Sequence, residues 1–128
     1  MNTVLLFVHQ LPQNLLGLLV VLITGGSKYS CLHNGVWNNF YLAKRFRGGW
    51  GVSLGNYIIF GHKPEIKSEC HEVGHQKQSL KLGWLYLLII GIPSFCGNIY
   101  ARLFHKSAEW YYSQPWEHDA DIRGGVER

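Results

Sequence analysis

The sequence predicts a mainly α-helical fold with a small β-hairpin or edge strand, packed against a membrane-associated hydrophobic segment. Three observations lead there. The chain is 128 residues long, enough for one domain and hardly for two. Its apolar residues cluster in two blocks, 4–23 and 82–104, each about as long as a bilayer crossing of roughly 20 residues. A single short run, 50–60, is rich in residues that favour strands. The composition agrees: hydrophobic residues reach 47% and charged residues only 16%, against about 25% charged in ordinary soluble domains. Outside the two blocks the chain is polar and thinly cored.

The first block, VLLFVHQLPQNLLGLLVVLI, is interrupted by His9, Gln10, Pro12, Gln13 and Asn14. It lacks the positive n-region and the small-residue cleavage site of a signal peptide. It reads as a poor transmembrane helix, an interfacial helix, or a helix docked on the second block, with membrane contact favoured by its length. Residues 25–49 read as loop, because Gly25-Gly26, His33-Asn34-Gly35, Asn38-Asn39 and Gly48-Gly49 punctuate them; a short helix through 37–46 is an alternative. In 50–60, Val52, Leu54, Tyr57, Ile58, Ile59 and Phe60 predict a strand or hairpin, with Gly55-Asn56 as turn or bulge. Residues 65–81 predict a helix with Ser68 as N-cap. Gly74 inside it costs about 1 kcal/mol relative to Ala, so a packing role is expected there. The second block, 82–104, is broken near its middle at Gly91-Ile92-Pro93-Ser94, as one kinked span or two short helices in a hairpin. Residues 106–123 predict a last helix, opened by Pro115 and ended by Gly124-Gly125.

The formal charge is +4 with a pI near 9.1. The basic residues are scattered rather than massed, and no nucleic-acid motif accompanies them, which argues against a nucleic-acid partner. Beside apolar segments such charges mark a cytoplasmic membrane face. Cys31, Cys70 and Cys96 are odd in number and fit no CxxC pattern, so they read as free thiols in a reducing compartment. His62, Glu65 and Glu69 share no ligand spacing and read as solvated polar residues.

The chemistry concentrates in two motifs. His71-Glu72-Val73-Gly74-His75 is an HExxH. On a helix, positions i and i+4 share a face, so both imidazoles can reach one ion while Glu72 stands beside them as a proton acceptor. Downstream, Glu117-His118-Asp119-Ala120-Asp121 again sets two carboxylates four apart. Zinc needs a third protein ligand, and a second acid can support a ligating histidine. The plain alternatives are two solvated histidines and an acidic first turn favoured by the helix dipole.

HExxH followed, after a hydrophobic stretch, by E-x-x-A-D resembles the gluzincin metallopeptidases. The likeness is greatest to the integral-membrane group of CAAX prenyl endopeptidases and bacterial heat-shock membrane proteases. Residues 71–94 also resemble small uncharacterised bacterial membrane proteins built on the same block. The resemblance covers 71–126 well, 50–60 loosely and 1–49 not at all. It implies a zincin-like helical site in which Zn²⁺ is held by His71, His75 and Glu117, with Glu72 as general base and Asp121 as supporting acid. It further implies peptide-bond hydrolysis, a peptide or protein substrate laid along an edge strand at 52–60, and a place in the bacterial inner membrane. His105, Tyr111 and Tyr112 remain open as oxyanion donors. The chain departs from these relatives in being far shorter, with one hydrophobic block between the motifs where they carry two spans. A single crossing by 82–104 would separate the motifs across the bilayer. A hairpin turning back at 91–94, with Lys77, Lys81, Arg102 and Lys106 on one cytoplasmic side, keeps them together. A zinc-stabilised membrane protein without catalysis and a membrane interaction module are the competing readings.

Overall fold

In the computed structural model, which describes residues 3–128, helices predominate and a four-stranded sheet sits against them. The first apolar block is two helices, α1 (Thr3–His9) and α2 (Leu11–Thr24), meeting at 92°. Pro12 lies in the first turn of α2, where its missing N–H costs no helical bond. Gly25 ends α2 at φ 63°, in the left-handed conformation that glycine tolerates. Among the described residues no single helix is long and apolar enough to cross a membrane; α1 and α2 reach that length only taken together.

The interruptions of this block have a use. Gln10, Gln13 and Asn14 are buried, while Leu15, Leu18, Leu19, Leu22 and Ile23 are exposed. Ser79 Oγ donates to Gln10 Oε1 at 2.6 Å, and Gln13 Nε2 donates to Ser79 Oγ and to the Gly83 carbonyl, both at 2.8 Å. Asn14 Nδ2 donates to the Phe7 carbonyl, and its Oδ1 accepts the Asn56 N–H at 2.7 Å. The helix therefore turns its polar side inward and its leucines outward.

Residues 25–49 are largely strand, not loop or helix. β1 (Ser27–His33) and β2 (Val36–Leu42) form an antiparallel hairpin. Asn34 and Gly35 both take positive φ, 51° and 77°, as a tight two-residue hairpin turn demands. Asn-Gly between runs of β-formers is thus a hairpin signal, not simply a breaker. β3 (Gly51–Leu54) and β4 (Tyr57–Phe60) form the second hairpin, about Gly55-Asn56 as anticipated. β4 lies parallel to β2, giving the order β1-β2-β4-β3 with β3 at an edge. Phe40, Ile58 and Phe60 are buried together, with Tyr29, Leu42 and Val73 packed on them.

α3 (Ile66–Leu82) follows. It starts before Ser68, and Glu65 takes the N-cap position without a side-chain cap bond. The second apolar block differs from the Pro-broken hairpin anticipated for 82–104. A short 3₁₀ turn (Gly83–Leu85) leads into a π-helical turn (Leu87–Gly91), which runs straight into α4 (Ile92–Leu103). The widened turn and the first-turn position of Pro93 accommodate the ring. The chain bends instead at Gly83, at φ 57°, which brings Ser94 and Phe95 to the cavity that Glu72 and His75 also line. A second bend at His105, φ 52°, leads to α5 (Ala108–Tyr112) and then to α6 (Pro115–Gly124). The predicted helix at 106–123 is thus two helices, the second opened by Pro115.

Candidate metal centre

The site depends on how closely α3 and α6 approach. A methyl group on Gly74 would collide with the backbone carbonyl of Ala120, and one on Gly124 with that of Cys70. The pairs 74/120 and 70/124 run in opposite directions along the two helices, so the helices are antiparallel and meet backbone to backbone. This is the packing reason for a glycine inside HExxH, and Ala120 is its small partner. With the backbones this near, His71 and His75, each next to a contact residue on α3, reach Asp121, next to Ala120, and Glu117, one turn before it on α6.

All four are buried, as is Glu72. Glu117 Oε1 lies 3.0 Å from His71 Nε2 and 2.9 Å from His75 Nε2. The other ring nitrogens are held from behind: His71 Nδ1 is 2.7 Å from Asp121 Oδ1, and His75 Nδ1 is 2.7 Å from Gln78 Oε1. The amide of Gln78 is oriented by its Nε2, which donates to the Trp116 carbonyl and to Asp119 Oδ2. Arg128 grips Asp121 through Nε and Nη2 at 2.7 and 3.1 Å, and stacks over the Tyr112 ring. Both histidines are thus placed to donate from Nδ1, the arrangement that fixes metal-binding imidazoles, and both point Nε2 at a carboxylate oxygen. Three acceptors converging in this way need a cation or a proton between them.

The electrostatics express the same demand. Burial pulls the His75 imidazole down, but its bond to Glu117 and the charges of Glu72 and Glu117 lift it to about 9. Burial raises the Glu117 carboxyl, yet the hydrogen bonds from His71 and His75 hold it far below the usual carboxylate range. Asp121 is also lowered, with burial outweighed by Arg128 and His71. Glu72 moves the other way: burial pushes its carboxyl up, His75 and His71 only partly offset this, and Glu117 adds to the rise. Glu72 Oε2 and Glu117 Oε2 are buried without a hydrogen-bond partner, a costly state for carboxylate oxygens.

His71, Glu72 and His75 offer ligand atoms all within 4.8 Å of one another, a buried cluster able to hold a metal ion. No protein-family model, curated protein or solved structure matches this chain. The donor set therefore stands on its own chemistry. Ligands about 2.0–2.1 Å from a tetrahedral ion lie about 3.3 Å apart; Glu117 Oε1 is 3.0 and 2.9 Å from the two Nε2 atoms, closer by the few tenths of an ångström that distinguish a hydrogen bond, and the orphaned carboxylate oxygens add negative charge. Two imidazoles with carboxylate suit a zinc-class ion.

A cavity of about 600 Å³, lined mainly by apolar surface, opens beside Glu72 and His75; β3, α2, the π turn, α4 and Tyr111 form its walls. The three proposed oxyanion donors separate here. Tyr111 faces the cavity, with its hydroxyl 3.0 Å from Ser94 Oγ. Burial, with the Glu117 charge next, pushes that phenol well above its ordinary value, so it stays a proton donor. Tyr112 packs edge-on against His71 with ring centres 5.0 Å apart and lies outside the cavity. His105 is exposed and also outside it. Ser94, Gln78 and Arg128 carry roles that no spacing in the sequence signalled; the small residues at 74, 120 and 124 were the one legible hint of how the helices meet.

Proposed function

We propose that the chain is a membrane-associated zinc metallopeptidase of gluzincin type. The single observation that carries this reading is the convergence of Glu117 Oε1 on both Nε2 atoms across the α3–α6 contact. His71, His75 and Glu117 would hold the zinc, and Asp121 and Gln78 would orient the two imidazoles. Zinc bound there supplies Lewis acidity, acidifying water and polarising a carbonyl. Glu72 acts as the base. It takes a proton from the attacking water as the new C–O bond forms, and delivers it to the amine as the C–N bond breaks. Its raised pKa moves it toward the working range of such a base. Tyr111 donates a hydrogen bond to the substrate carbonyl oxygen, where negative charge develops.

An extended peptide or protein segment fits along β3. Pairing alternates along an antiparallel ladder. The Gly61 N–H bonds to the Trp50 carbonyl, so Gly51 and Ser53 turn their polar groups to the open edge. Tyr86 Oη donates to the Ser53 carbonyl at 2.9 Å, which leaves Gly51 and the Ser53 N–H for a substrate strand. The lipid bilayer is the partner suggested by the outward leucines of α2 and the exposed Trp84, Leu88, Phe95 and Leu103. The resemblance to inner-membrane proteases and the charges of Lys77, Lys81, Arg102 and Lys106 favour the bacterial inner membrane, with the motifs on the cytoplasmic side.

A second reading, zinc as a structural staple without hydrolysis, is favoured by the thin core, in which buried polar side chains outnumber buried apolar ones. Glu72→Gln separates the two. Peptidase activity of the detergent-purified protein is expected to fall roughly 10²–10⁴-fold with zinc content unchanged. Turnover that survives the substitution rejects the mechanism, and a wild type without turnover on any peptide favours the staple.

A further inference from the structure

A second set of ligand atoms gathers where β1 meets the first turn of α3. Cys31 and His33 flank the exposed Leu32, so both side chains leave the same face of the strand. Glu69, buried in α3, comes to meet them. Cys31 Sγ, a His33 ring nitrogen and a Glu69 carboxylate oxygen all lie within 4.8 Å of one another. His33 Nε2 and Glu69 Oε1 are 3.3 Å apart, the separation of about 3.3 Å expected of two ligands on one tetrahedral ion.

Two further features point to an ion. His33 Nε2 is buried and makes no aligned hydrogen bond, facing only the Glu69 carboxylate, and such a group is costly unless something binds it more fully. Glu69 is oriented from behind, because Tyr29 Oη donates to its Oε2 at 2.9 Å and leaves Oε1 facing His33. Phe40 fixes both neighbours: the Tyr29 ring stacks on it and the His33 ring meets it edge-on. A ligand supported by an outer hydrogen bond and a ring held by packing are the usual surroundings of a metal site.

We propose that Cys31, His33 and Glu69 bind a second zinc-class divalent ion, which tethers the β1–β2 hairpin to the helix that carries His71 and His75. Sulfur with imidazole and one carboxylate suits zinc or cobalt and disfavours magnesium and calcium, which take oxygen ligands. Three protein ligands leave the fourth position to water, reachable because Cys31 is only partly buried. The Cys31 thiol gives up its proton as the metal–sulfur bond forms. This tether does not depend on the reading of the first centre, which contains no sulfur.

Cobalt(II) substitution tests it on the full-length protein. Cobalt bound by a thiolate gives an intense near-ultraviolet charge-transfer band that histidine and carboxylate ligands do not produce. The wild-type protein is expected to show the band, Cys70→Ser to keep it, and Cys31→Ser to lose it. His71→Ala is expected to lower the total metal bound while leaving the band intact. A wild-type cobalt spectrum without the band overturns the proposal whatever the variants do, and so does a band that survives Cys31→Ser. Should Cys31→Ser fail to fold, His33→Gln takes its place: a shifted or weakened band supports the site, and an unchanged band overturns it.

Discussion

α2 and α3 both bury polar side chains, and they do so to opposite ends. In α2 and at its N-cap Gln10 the buried polar groups are neutral amides and a threonine, and nearly all find neutral partners within the protein: Gln10 with Ser79, Gln13 with Ser79 and Gly83, Asn14 with Phe7 and Asn56, leaving only Gln13 Oε1 without one. That seam is nearly complete and acts as an adhesive between α2 and the end of α3. Where α3 meets α6 the buried groups include two imidazoles and the carboxylates of Glu72, Glu117 and Asp121, the groups face one another, and two carboxylate oxygens have no partner. That seam gathers a donor set able to take a cation. Polar burial alone does not mark a candidate site; a cluster of ionisable groups left unsatisfied is the better sign.

The comparison can be broken or sharpened by substitutions that touch one seam at a time. The largest effect on zinc is expected at Gly74. Gly74→Ala drives a methyl into the Ala120 carbonyl, separates α3 from α6, and costs on the order of 3 kcal/mol together with the bound zinc, readable by thermal melting and metal analysis. Asp121→Asn keeps the shape but weakens the support of His71, so zinc affinity is expected to fall roughly 10–100-fold in a chelator competition. Next comes pH. His75 held at about 9 carries a proton at neutral pH, and zinc must displace it. Zinc affinity is therefore expected to rise with pH, by up to about tenfold per unit from this group, and to level off above about 9. Titration of zinc binding across that range checks the slope. The smallest effect on zinc is expected in the other seam. Gln13→Leu removes the donor to Ser79 Oγ, strands the Gly83 carbonyl and costs about 1–3 kcal/mol, yet zinc content should not change. A loss of zinc there would mean that the two seams are one.

The elements of this contrast were unequally legible in the sequence. The i, i+4 spacings of His71/His75 and Glu117/Asp121 put each pair on a helical face without any tertiary information, and the edge hairpin at 50–60 followed from β-branched and aromatic residues around Gly55-Asn56. The β1–β2 hairpin is hard to read because Asn34-Gly35 looks like a breaker, although Tyr29, Cys31 and His33 alternate along one face as strand residues do. The bend at Gly83 and the straight passage through Pro93 depend on packing and on one widened turn, which local propensity does not encode. Gln78, Ser94 and Arg128 act only through partners distant in the chain. The polar interruptions of 4–23 look like defects along the sequence; only the buried seam against Ser79 and Asn56 shows what they do.

The central claim is that Glu117 completes a metal site with the two imidazoles of α3. Metal analysis of the wild type beside Glu117→Gln and His71→Ala tests it most directly. Each variant is expected to bind one zinc fewer than the wild type, and the double variant no fewer than either alone. A Glu117→Gln protein that keeps the full wild-type zinc content would contradict the account.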